Sequence, residues 1–309
     1  MTLLDITKAV ADPTRLRLLL VLSQAHLTLA QTGQLLGQSG PRLSRHLKIM
    51  SQAALIERSK EGKEAYFRLT NDAEIRTLIN PILESLKNSD DYGDLEKLKK
   101  KILAENKRAQ HLEARFYAKW NQARGFFADE QRPEARLIEI AKGMIKPTLL
   151  DIGTGTGRLL SVLSSHILSG IGIDTDKDML SIARHRLAAE NLSHVSVKKG
   201  NMYELGLNGQ QFDLVCLYGV LRYASAPGPV LHEAASAVNP GGVLVIVDFL
   251  EHDYDELSDS YGHKWLGFDP KDISRWIEAT GILAEEQEIF VGRHLSTGLW
   301  QGIKPTGAI

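Results

Sequence analysis

Cysteine is almost absent from this chain of 309 residues, where Cys216 is the only one. A lone thiol excludes an intrachain disulfide and a metal or arsenic site built from several thiolates, so we expect a small buried residue in the run FDLVCLY. Long apolar runs are missing as well. Near the N-terminus the longest, Leu18 to Leu22, is far shorter than the roughly 18 residues of a membrane span, and the Asp12-Pro13 pair before it does not suit a signal peptide. We therefore expect a cytoplasmic protein with no membrane partner.

Charge is nearly balanced over the whole chain, at −1, but it is unevenly distributed. Up to Lys87 there are 12 Lys and Arg against 8 Asp and Glu, whereas from Thr148 onward there are 12 against 20. The length and the 43% hydrophobic content suffice for two domains, each with its own core. A basic front and an acidic back predict two functions, with any polyanion binding to the front half.

Residues 1–88 are predicted to form a domain of helices followed by a β-hairpin. The run TKAVADPTRLRLLLVL suits a short helix and then an amphipathic one, and LTLAQTGQLLG predicts a helix closed by Gly37. QSGPRLSRHLKIMSQAAL predicts a further helix, with Ser39 as its cap and Pro41 in its first turn. LIERSKEGKEAYFRL alternates around a charged tip, which predicts a hairpin.

The helix that begins after Ser39 has one apolar face and a separate basic surface. Its apolar residues share three- and four-residue spacing: Leu43, Leu47 and Met50. Its basic residues fall outside that face: Arg42, Arg45, His46 and Lys48. Such a helix can enter a major groove while the hairpin follows the adjacent phosphates, although a helical bundle with solvated charges gives the same pattern.

The motifs VADPTRLRLLLVL, QSGPRLSRHLKIM and KEGKEAYFRL, in this order, resemble winged-helix repressors of the ArsR/SmtB type. The resemblance implies a homodimer that binds double-stranded operator DNA. The contacts that it implies come from the helix (Ser39, Arg42, Arg45 and His46) and, to phosphates, from the wing (Lys60 and Lys63). Metal-sensing members carry a pair of cysteines in the helix that here reads LTLAQTGQLLG, so metal sensing through that site is not expected.

Residues 89–128 are predicted to form a stiff connecting helix. Apolar residues repeat there at three- and four-residue spacing: Leu95, Leu98, Ile102, Ala109, Leu112, Phe116 and Ala123. The helix could pack on its own chain or pair with a second copy, and the pattern favours neither.

Residues 129–309 alternate strand-like and helix-like segments, which predicts an α/β domain with a doubly wound parallel sheet. Four residues follow or end predicted strands: Gly153, Asp174, Asn201 and Tyr218. Because ligands of such sheets bind at the carboxyl ends of the strands, we expect these residues to line one crevice. Two further strand-like runs, AEEQEIFVGRHL and TGLWQGIKP, close the chain.

The run LLDIGTGTGRLL has glycine at positions 153, 155 and 157. A nicotinamide-dinucleotide fingerprint would need glycine at the sixth position, where Arg158 stands. Glycines let a backbone approach a ligand closely, Asp151 adds negative charge, and Asp174 is placed to accept both hydroxyls of a ribose. These features predict an adenosine ligand. Asp174 taken alone does not identify it, because an acid at this position would bind the ribose of NAD equally well.

The glycine run headed by Asp151 resembles motif I of class I S-adenosylmethionine-dependent methyltransferases, and the resemblance extends from about Arg115 to the end of the chain. It implies a Rossmann-like domain, S-adenosylmethionine as cofactor, S-adenosylhomocysteine as product or effector, and a small-molecule methyl acceptor. The cofactor residues that it implies are Asp151, Gly153, Gly155, Gly157, Asp174, Thr175, Asn201, Met202 and Tyr218.

No short motif identifies a catalytic residue. The candidates on the substrate side are Tyr218, Arg222, Tyr223, Asp248, His252 and His263. Relatives often have histidine where this chain has Arg222, and arginine is not a useful base. His252 and Glu256 could share a helical face and, with His263, hold a metal; solvated or hydrogen-bonded side chains are commoner, and we expect no metal. Arsenite methyltransferases rely on several cysteines, which this chain lacks.

Two functions remain open at this point. The chain is a DNA-binding transcriptional regulator whose methyltransferase domain acts on a small molecule, or its methyltransferase fold is a non-catalytic sensor of S-adenosylmethionine or S-adenosylhomocysteine that controls DNA binding. Both require the loop from Asp151 to Gly157.

Overall fold

The computed structural model describes residues 3–25, 27–61, 64–70, 72–89, 92–123, 131–292 and 294–307. The chain divides into two compact units, Met1–Lys107 and Arg108–Ile309. No helix in the described ranges has the length and apolar content needed to cross a membrane.

The first unit combines helices with a small antiparallel sheet. Its helices are α1 (Leu3–Val10), α2 (Pro13–Leu22), α3 (Leu29–Leu36), α4 (Gly40–Gln52) and α5 (Ala73–Asn88). Its strands are β1 (Leu27–Thr28), β2 (Ile56–Glu61) and β3 (Glu64–Leu69), in the order β1-β3-β2. The predicted helices and hairpin are confirmed. Strand β1 was not predicted, because two residues are too few to show an alternating pattern.

Local sequence signals set the helix ends in this unit. Asp12 caps α2 by accepting the Arg15 N–H at 3.1 Å, and Thr28 and Gln31 form a reciprocal capping box at α3. Gly37 ends α3 in the left-handed conformation at φ 66°. Ser39 occupies the N-cap position of α4 as predicted, but its side chain makes no capping hydrogen bond with the described residues.

Helix α2 is not amphipathic as its sequence suggested. Its last five residues, Leu18 to Leu22, are all buried, with at most 3% of each exposed. Side chains on five consecutive helical positions point in all directions, so this half of α2 is surrounded by the core. Helix α4 behaves as predicted, because Leu43, Leu47 and Met50 are all buried.

Helix α6 (Asp94–Ala123) is continuous over the stretch predicted to be a long helix. Its first turns belong to the first unit, where Leu98 is buried in the core and Ile102 packs against it. Asp94 is fully buried there and accepts two hydrogen bonds from Arg17, at 2.5 and 2.9 Å. Ala109 and the residues of the apolar stripe beyond Leu112 lie outside the described side chains.

The second unit is built on a seven-stranded sheet. The strands are β4 (Thr148–Ile152), β5 (Ser169–Asp174), β6 (Val195–Lys199), β7 (Phe212–Tyr218), β8 (Val238–Phe249), β9 (Leu283–Phe290) and β10 (Thr297–Ile303). Their order is β6-β5-β4-β7-β8-β10-β9. The first five are parallel, and the closing pair runs antiparallel. The predicted doubly wound α/β fold is confirmed, with an antiparallel edge.

Helices cover both faces of this sheet. They are α7 (Gln131–Lys142), α8 (Arg158–Leu163), α9 (Lys177–Ala189), α10 (Pro227–Ser236), α11 (Glu256–Tyr261) and α12 (Pro270–Glu278). Alternate strand residues enter two separate cores, as Leu217 and Cys216 show on neighbouring positions of β7. Cys216 is buried as predicted, and burial raises the pKa of its thiol.

Candidate functional site

The parallel strands of the second unit end at one edge of the sheet. Residue Ile152 of β4 pairs with Ile173 of β5 and with Leu217 of β7, and Tyr218 pairs with Val247 of β8. The residues that follow these strands therefore share one edge, as the sequence predicted for Gly153, Asp174, Asn201 and Tyr218.

The glycine loop after β4 is held in conformations that glycine adopts readily. Gly153, Gly155 and Gly157 have φ of 76°, 52° and 72°. The N–H groups of Gly153 and Thr154 both donate to the carbonyl of Ile173, at 2.7 and 3.0 Å. A Cβ on Gly153 would lie 2.2 Å from Cγ2 of Val220, so this position has no room for a side chain.

Asp174 fastens the glycine loop to the end of β5. Its Oδ2 accepts the Gly155 N–H and its Oδ1 accepts the Asp176 N–H, both at 2.9 Å. Burial raises the pKa of this carboxyl, while the backbone hydrogen bonds oppose that rise. Each carboxylate oxygen has a second lone pair, so Asp174 retains the capacity to accept hydroxyl groups.

Asp151 lies beneath the same loop with almost no exposure, at 1%. Its Oδ2 has no hydrogen-bond partner among the described residues. Burial raises the pKa of Asp151 to about 7, and the charge of Asp174 adds to the rise. A cation beside Asp151 would stabilise its ionised form.

The remaining cofactor candidates flank this edge. Thr175 is exposed, and Met202 is partly buried against the core. Asn201 is exposed, and its Oδ1 accepts the Tyr203 N–H at 3.1 Å. Tyr218 is partly buried at the end of β7.

Arg158, which stands where a dinucleotide fingerprint has its last glycine, begins helix α8. Its guanidinium pairs with Glu134 of α7 through contacts of 2.5 and 2.8 Å. Glu134 is buried, at 8% exposed. The position that a dinucleotide fingerprint keeps as glycine for close packing of helix against strand therefore carries an ion-paired side chain.

Arg222 is anchored after β7 by a buried ion pair. Its Nη1 lies 3.1 Å from Oδ1 of Asp248, and the two residues are 6% and 1% exposed. Asp248 also accepts the backbone N–H groups of Arg222 and Phe249, at 3.2 and 2.8 Å. The guanidinium lies 3.9 Å from the centre of the Phe249 ring. This arrangement makes Arg222 a fixed cation, which cannot serve as a general base.

The two candidate histidines lie close to this ion pair. The rings of His252 and His263 are 6.0 and 6.2 Å from the Phe249 ring, and His263 meets Tyr223 edge-on at 5.1 Å. Burial lowers the pKa of His263 to about 3, and the positive charge of Arg222 adds to this effect. The pKa of His252 is lowered for the same two reasons.

His252 and Glu256 do not share the helical face on which, with His263, they could have held a metal. Helix α11 begins at Glu256, so His252 lies in the preceding loop and shares no helical face with Glu256. In the described part of the chain no group of three His, Cys, Asp or Glu side chains is arranged to hold a metal.

Sequence reasoning missed Val220 and Phe249. Val220 packs where a Gly153 side chain would be, and Phe249 lies under the Arg222 guanidinium. The one available signal was their place in the chain, since Val220 lies two residues before Arg222 and Phe249 directly follows Asp248.

The residues predicted to bind DNA are distributed unequally over helix α4. Ser39, Arg42 and Arg45 are exposed, whereas the His46 side chain is only 12% exposed and lies 3.7 Å from Asp12. Burial lowers the pKa of His46, against the opposing charge of Asp12. His46 thus offers less surface than the two arginines. Lys63 and the side chain of Lys60 lie outside the described residues.

Two family models match this chain, one in each unit. Residues 12–58 match the model for bacterial regulatory proteins of the arsR family. Residues 146–281 match a methyltransferase domain.

Curated relatives match parts of the chain. An uncharacterized 37.1 kDa protein in transposon TN4556 of Streptomyces fradiae is 36% identical over 36% of this chain and 32% of its own length. The match thus spans about a third of that relative. A malonyl-[acyl-carrier protein] O-methyltransferase of Marinomonas sp. is 25% identical over 60% of this chain and 70% of its own length. The demethylmenaquinone methyltransferase of Oceanobacillus iheyensis is 27% identical over 47% of this chain and 63% of its own length.

Solved structures share the fold of the second unit. An S-adenosylmethionine-dependent methyltransferase from Clostridium acetobutylicum matches with a TM-score of 0.51 at 15% identity, covering 62% of this chain and 97% of that one. The YcgJ protein of Bacillus subtilis matches with a TM-score of 0.50 at 16% identity, and the match covers 58% of this chain and 100% of that protein. Residues 12–58 thus match the bacterial regulatory arsR family, and residues 146–281 match a methyltransferase domain whose fold is that of the solved methyltransferase from Clostridium acetobutylicum.

Proposed function

We propose that this protein is a DNA-binding transcriptional regulator whose second unit binds S-adenosylmethionine and methylates a small molecule. The observation that carries the proposal is the glycine loop between two carboxylates: Asp174 bonded to the Gly155 N–H, and Asp151 buried with an unpartnered oxygen. A ligand with ribose hydroxyls and a cationic group suits this pair, because Asp174 has free lone pairs and a cation stabilises ionised Asp151.

The roles of the residues follow from their placement. When bound, S-adenosylmethionine supplies an electrophilic methyl group. Asp174 would accept the ribose hydroxyls, Asp151 would face the ammonium and sulfonium charges, and Gly153, Gly155 and Gly157 would let the backbone approach the methionine portion. Thr175, Asn201, Met202 and Tyr218 would surround the adenosine. The Asn201 amide oxygen already accepts one hydrogen bond, from Tyr203, and its second lone pair could accept from the adenine amino group.

The acceptor is proposed to be a small molecule. Relatives of the second unit support this class, since they include demethylmenaquinone and ubiquinone biosynthesis methyltransferases. The candidate residues on the acceptor side are Tyr218, Arg222, Tyr223, Asp248, His252 and His263.

The first unit is proposed to bind double-stranded operator DNA as a homodimer in the cytoplasm. The exposed side chains of Ser39, Arg42 and Arg45 on α4 support contacts to bases or phosphates. His46 is included in the proposed contact set, and Lys60 and Lys63 are proposed to contact phosphates from the wing.

Calorimetric titration with S-adenosylmethionine and S-adenosylhomocysteine tests the cofactor assignment. Asp174→Ala should weaken binding by about 1.5 to 3 kcal/mol, the loss expected for hydrogen bonds to a charged group. Asp255→Ala, at an exposed position that makes no side-chain cap, is the matched control and should bind like the parent. Unchanged affinity in Asp174→Ala would show that the ribose is held elsewhere. NADH should show no saturable binding, since Arg158 occupies the position of the missing glycine.

A second function is favoured by one observation. Arg222 is a fixed cation and His263 has a pKa of about 3, so neither is suited to remove a proton at neutral pH. A domain that only senses the cofactor needs no base. Incubation with labelled S-adenosylmethionine and a metabolite extract separates the two: a labelled product establishes the enzyme, whereas cofactor binding that alters DNA affinity without any labelled product establishes the sensor.

A further inference from the structure

We infer that Arg222, His252 and His263 form a binding site for a carboxylate group of the methyl acceptor. The inference rests on the methyl transfer proposed above and names the chemical class that the acceptor side selects. It is carried by buried polar atoms that make no hydrogen bond with the described residues: Nε and Nη1 of Arg222, Nε2 of His252 and Nδ1 of His263.

Arg222 keeps unused donors in spite of its ion pair. Its Nη1 lies 3.1 Å from Asp248, yet neither Nη1 nor Nε makes a hydrogen bond with the described residues. The Asp248 oxygens are instead engaged by the backbone N–H groups of Arg222 and Phe249. Asp248 balances the charge of Arg222, but the Nε–H is a buried donor without an acceptor, which is costly, so an acceptor arriving from a ligand is favoured.

His252 contributes a third donor, and its tautomer follows from a hydrogen bond. Nδ1 of His252 accepts the Tyr254 N–H at 3.3 Å, so the proton of the neutral ring is on Nε2. That Nε2–H has no partner in the described part of the chain. The ring is neutral because burial lowers its pKa. Arg222 and His252 together therefore present donors, and a ligand must supply acceptors.

These groups surround one aromatic ring. Phe249 lies 3.9 Å from the Arg222 guanidinium, and both histidine rings are within 6.2 Å of it. Nδ1 of His263 belongs to a residue that is 97% buried. A carboxylate suits this set because it has two oxygens with several acceptor sites and no donor. An ammonium group would be repelled by Arg222 and would add donors where acceptors are missing.

The segment after β7 that carries Arg222 also contacts the glycine loop. Val220 packs against Gly153, and Arg222 follows two residues later and reaches Asp248. A Cβ on Gly219 would lie 2.6 Å from Nη2 of Arg222, so the guanidinium also closes over the turn after β7. Arg222 is therefore two residues away from a side chain that packs against the loop where the cofactor is proposed to bind.

Calorimetry with the full chain saturated with S-adenosylhomocysteine tests the inference, with benzoate as the probe. Benzoate should bind saturably in the millimolar range, and benzamide, which replaces one oxygen by a donor and lacks the charge, should bind about tenfold more weakly. His252→Phe removes the Nε2 donor without touching the ion pair and should weaken benzoate about tenfold. Arg222→Lys keeps the charge but loses the Nε donor, and it should also weaken benzoate binding about tenfold. His232→Phe, at an exposed position on α10, is the matched control and should bind benzoate like the parent.

The outcomes separate the inference from the proposed function. Failure of the parent protein to bind S-adenosylhomocysteine would overturn the proposed function. Binding of S-adenosylhomocysteine combined with equal affinity for benzoate and benzamide, or with no benzoate binding, would overturn the carboxylate site alone. If Arg222→Lys does not fold, His252→Phe decides: unchanged benzoate affinity in that variant contradicts the inference.

Discussion

Replacing Asp151 by asparagine tests whether a buried carboxylate with one unpartnered oxygen lies beside the glycine loop. The side chain is 1% exposed, and its Oδ2 has no partner among the described residues. Asparagine has nearly the same shape and no charge. The substitution therefore removes the cost of burying a carboxylate while leaving the packing almost unchanged.

The magnitude follows from the pKa of Asp151, which burial raises from 3.8 to about 7. That difference corresponds to about 4 kcal/mol once the carboxyl is fully ionised. Between these two pH values the folded protein binds more protons than the unfolded chain, so its stability falls as the pH rises through this window. The penalty is complete above pH 7 and should shrink to less than about 2 kcal/mol near pH 5.

We expect Asp151→Asn to be more stable than the parent by up to about 4 kcal/mol near pH 8, and to lose most of this advantage near pH 5. Urea unfolding followed by tryptophan fluorescence suits the assay, because Trp265, Trp276 and Trp300 all belong to the second unit. Asp255→Asn, at an exposed position, is the control and should follow the parent at both pH values. A variant with the stability and the pH dependence of the parent would refute the reasoning.

Three further predictions concern the first unit and its coupling to the second. Removing the charge of Arg45 or Lys63 should weaken operator binding and flatten its salt dependence by about one unit of slope for each lost phosphate contact, measured by fluorescence anisotropy; parental binding in both variants would contradict the winged-helix assignment. Asp94→Asn should lower the free energy of unfolding of the first unit by about 3 to 5 kcal/mol in urea titrations, because it leaves Arg17 without its buried carboxylate; an effect below 1 kcal/mol, the usual value of a surface pair, would contradict this. Saturating S-adenosylmethionine or S-adenosylhomocysteine should shift operator affinity by about 5- to 150-fold, and operator DNA should change the ligand affinity by the same factor; identical anisotropy curves with and without ligand would leave two independent units.

Much of the fold follows from local patterns in the sequence. The alternation of strands and helices predicted the doubly wound sheet, and the closing runs predicted β9 and β10. Capping residues and glycines marked the helix ends, as at Gly37. The glycine run after β4 predicted a tight turn there, because positive φ at closely spaced glycines is a property of neighbouring residues alone. Patterns of this kind can be recognised in the sequence because each depends on a few consecutive positions.

Properties that depend on distant partners were decided by the tertiary structure. The Arg17 and Asp94 pair joins residues 77 positions apart, and the Arg222 amide donates to Asp248 across 26 positions. Neither is visible from spacing. Helix α2 looked amphipathic, but its last turns are enclosed on all sides by the core. The raised pKa of Asp151 and the unpartnered donors of Arg222 and His252 likewise arise from burial, and burial is set by which elements pack together rather than by the identity of the neighbouring residues.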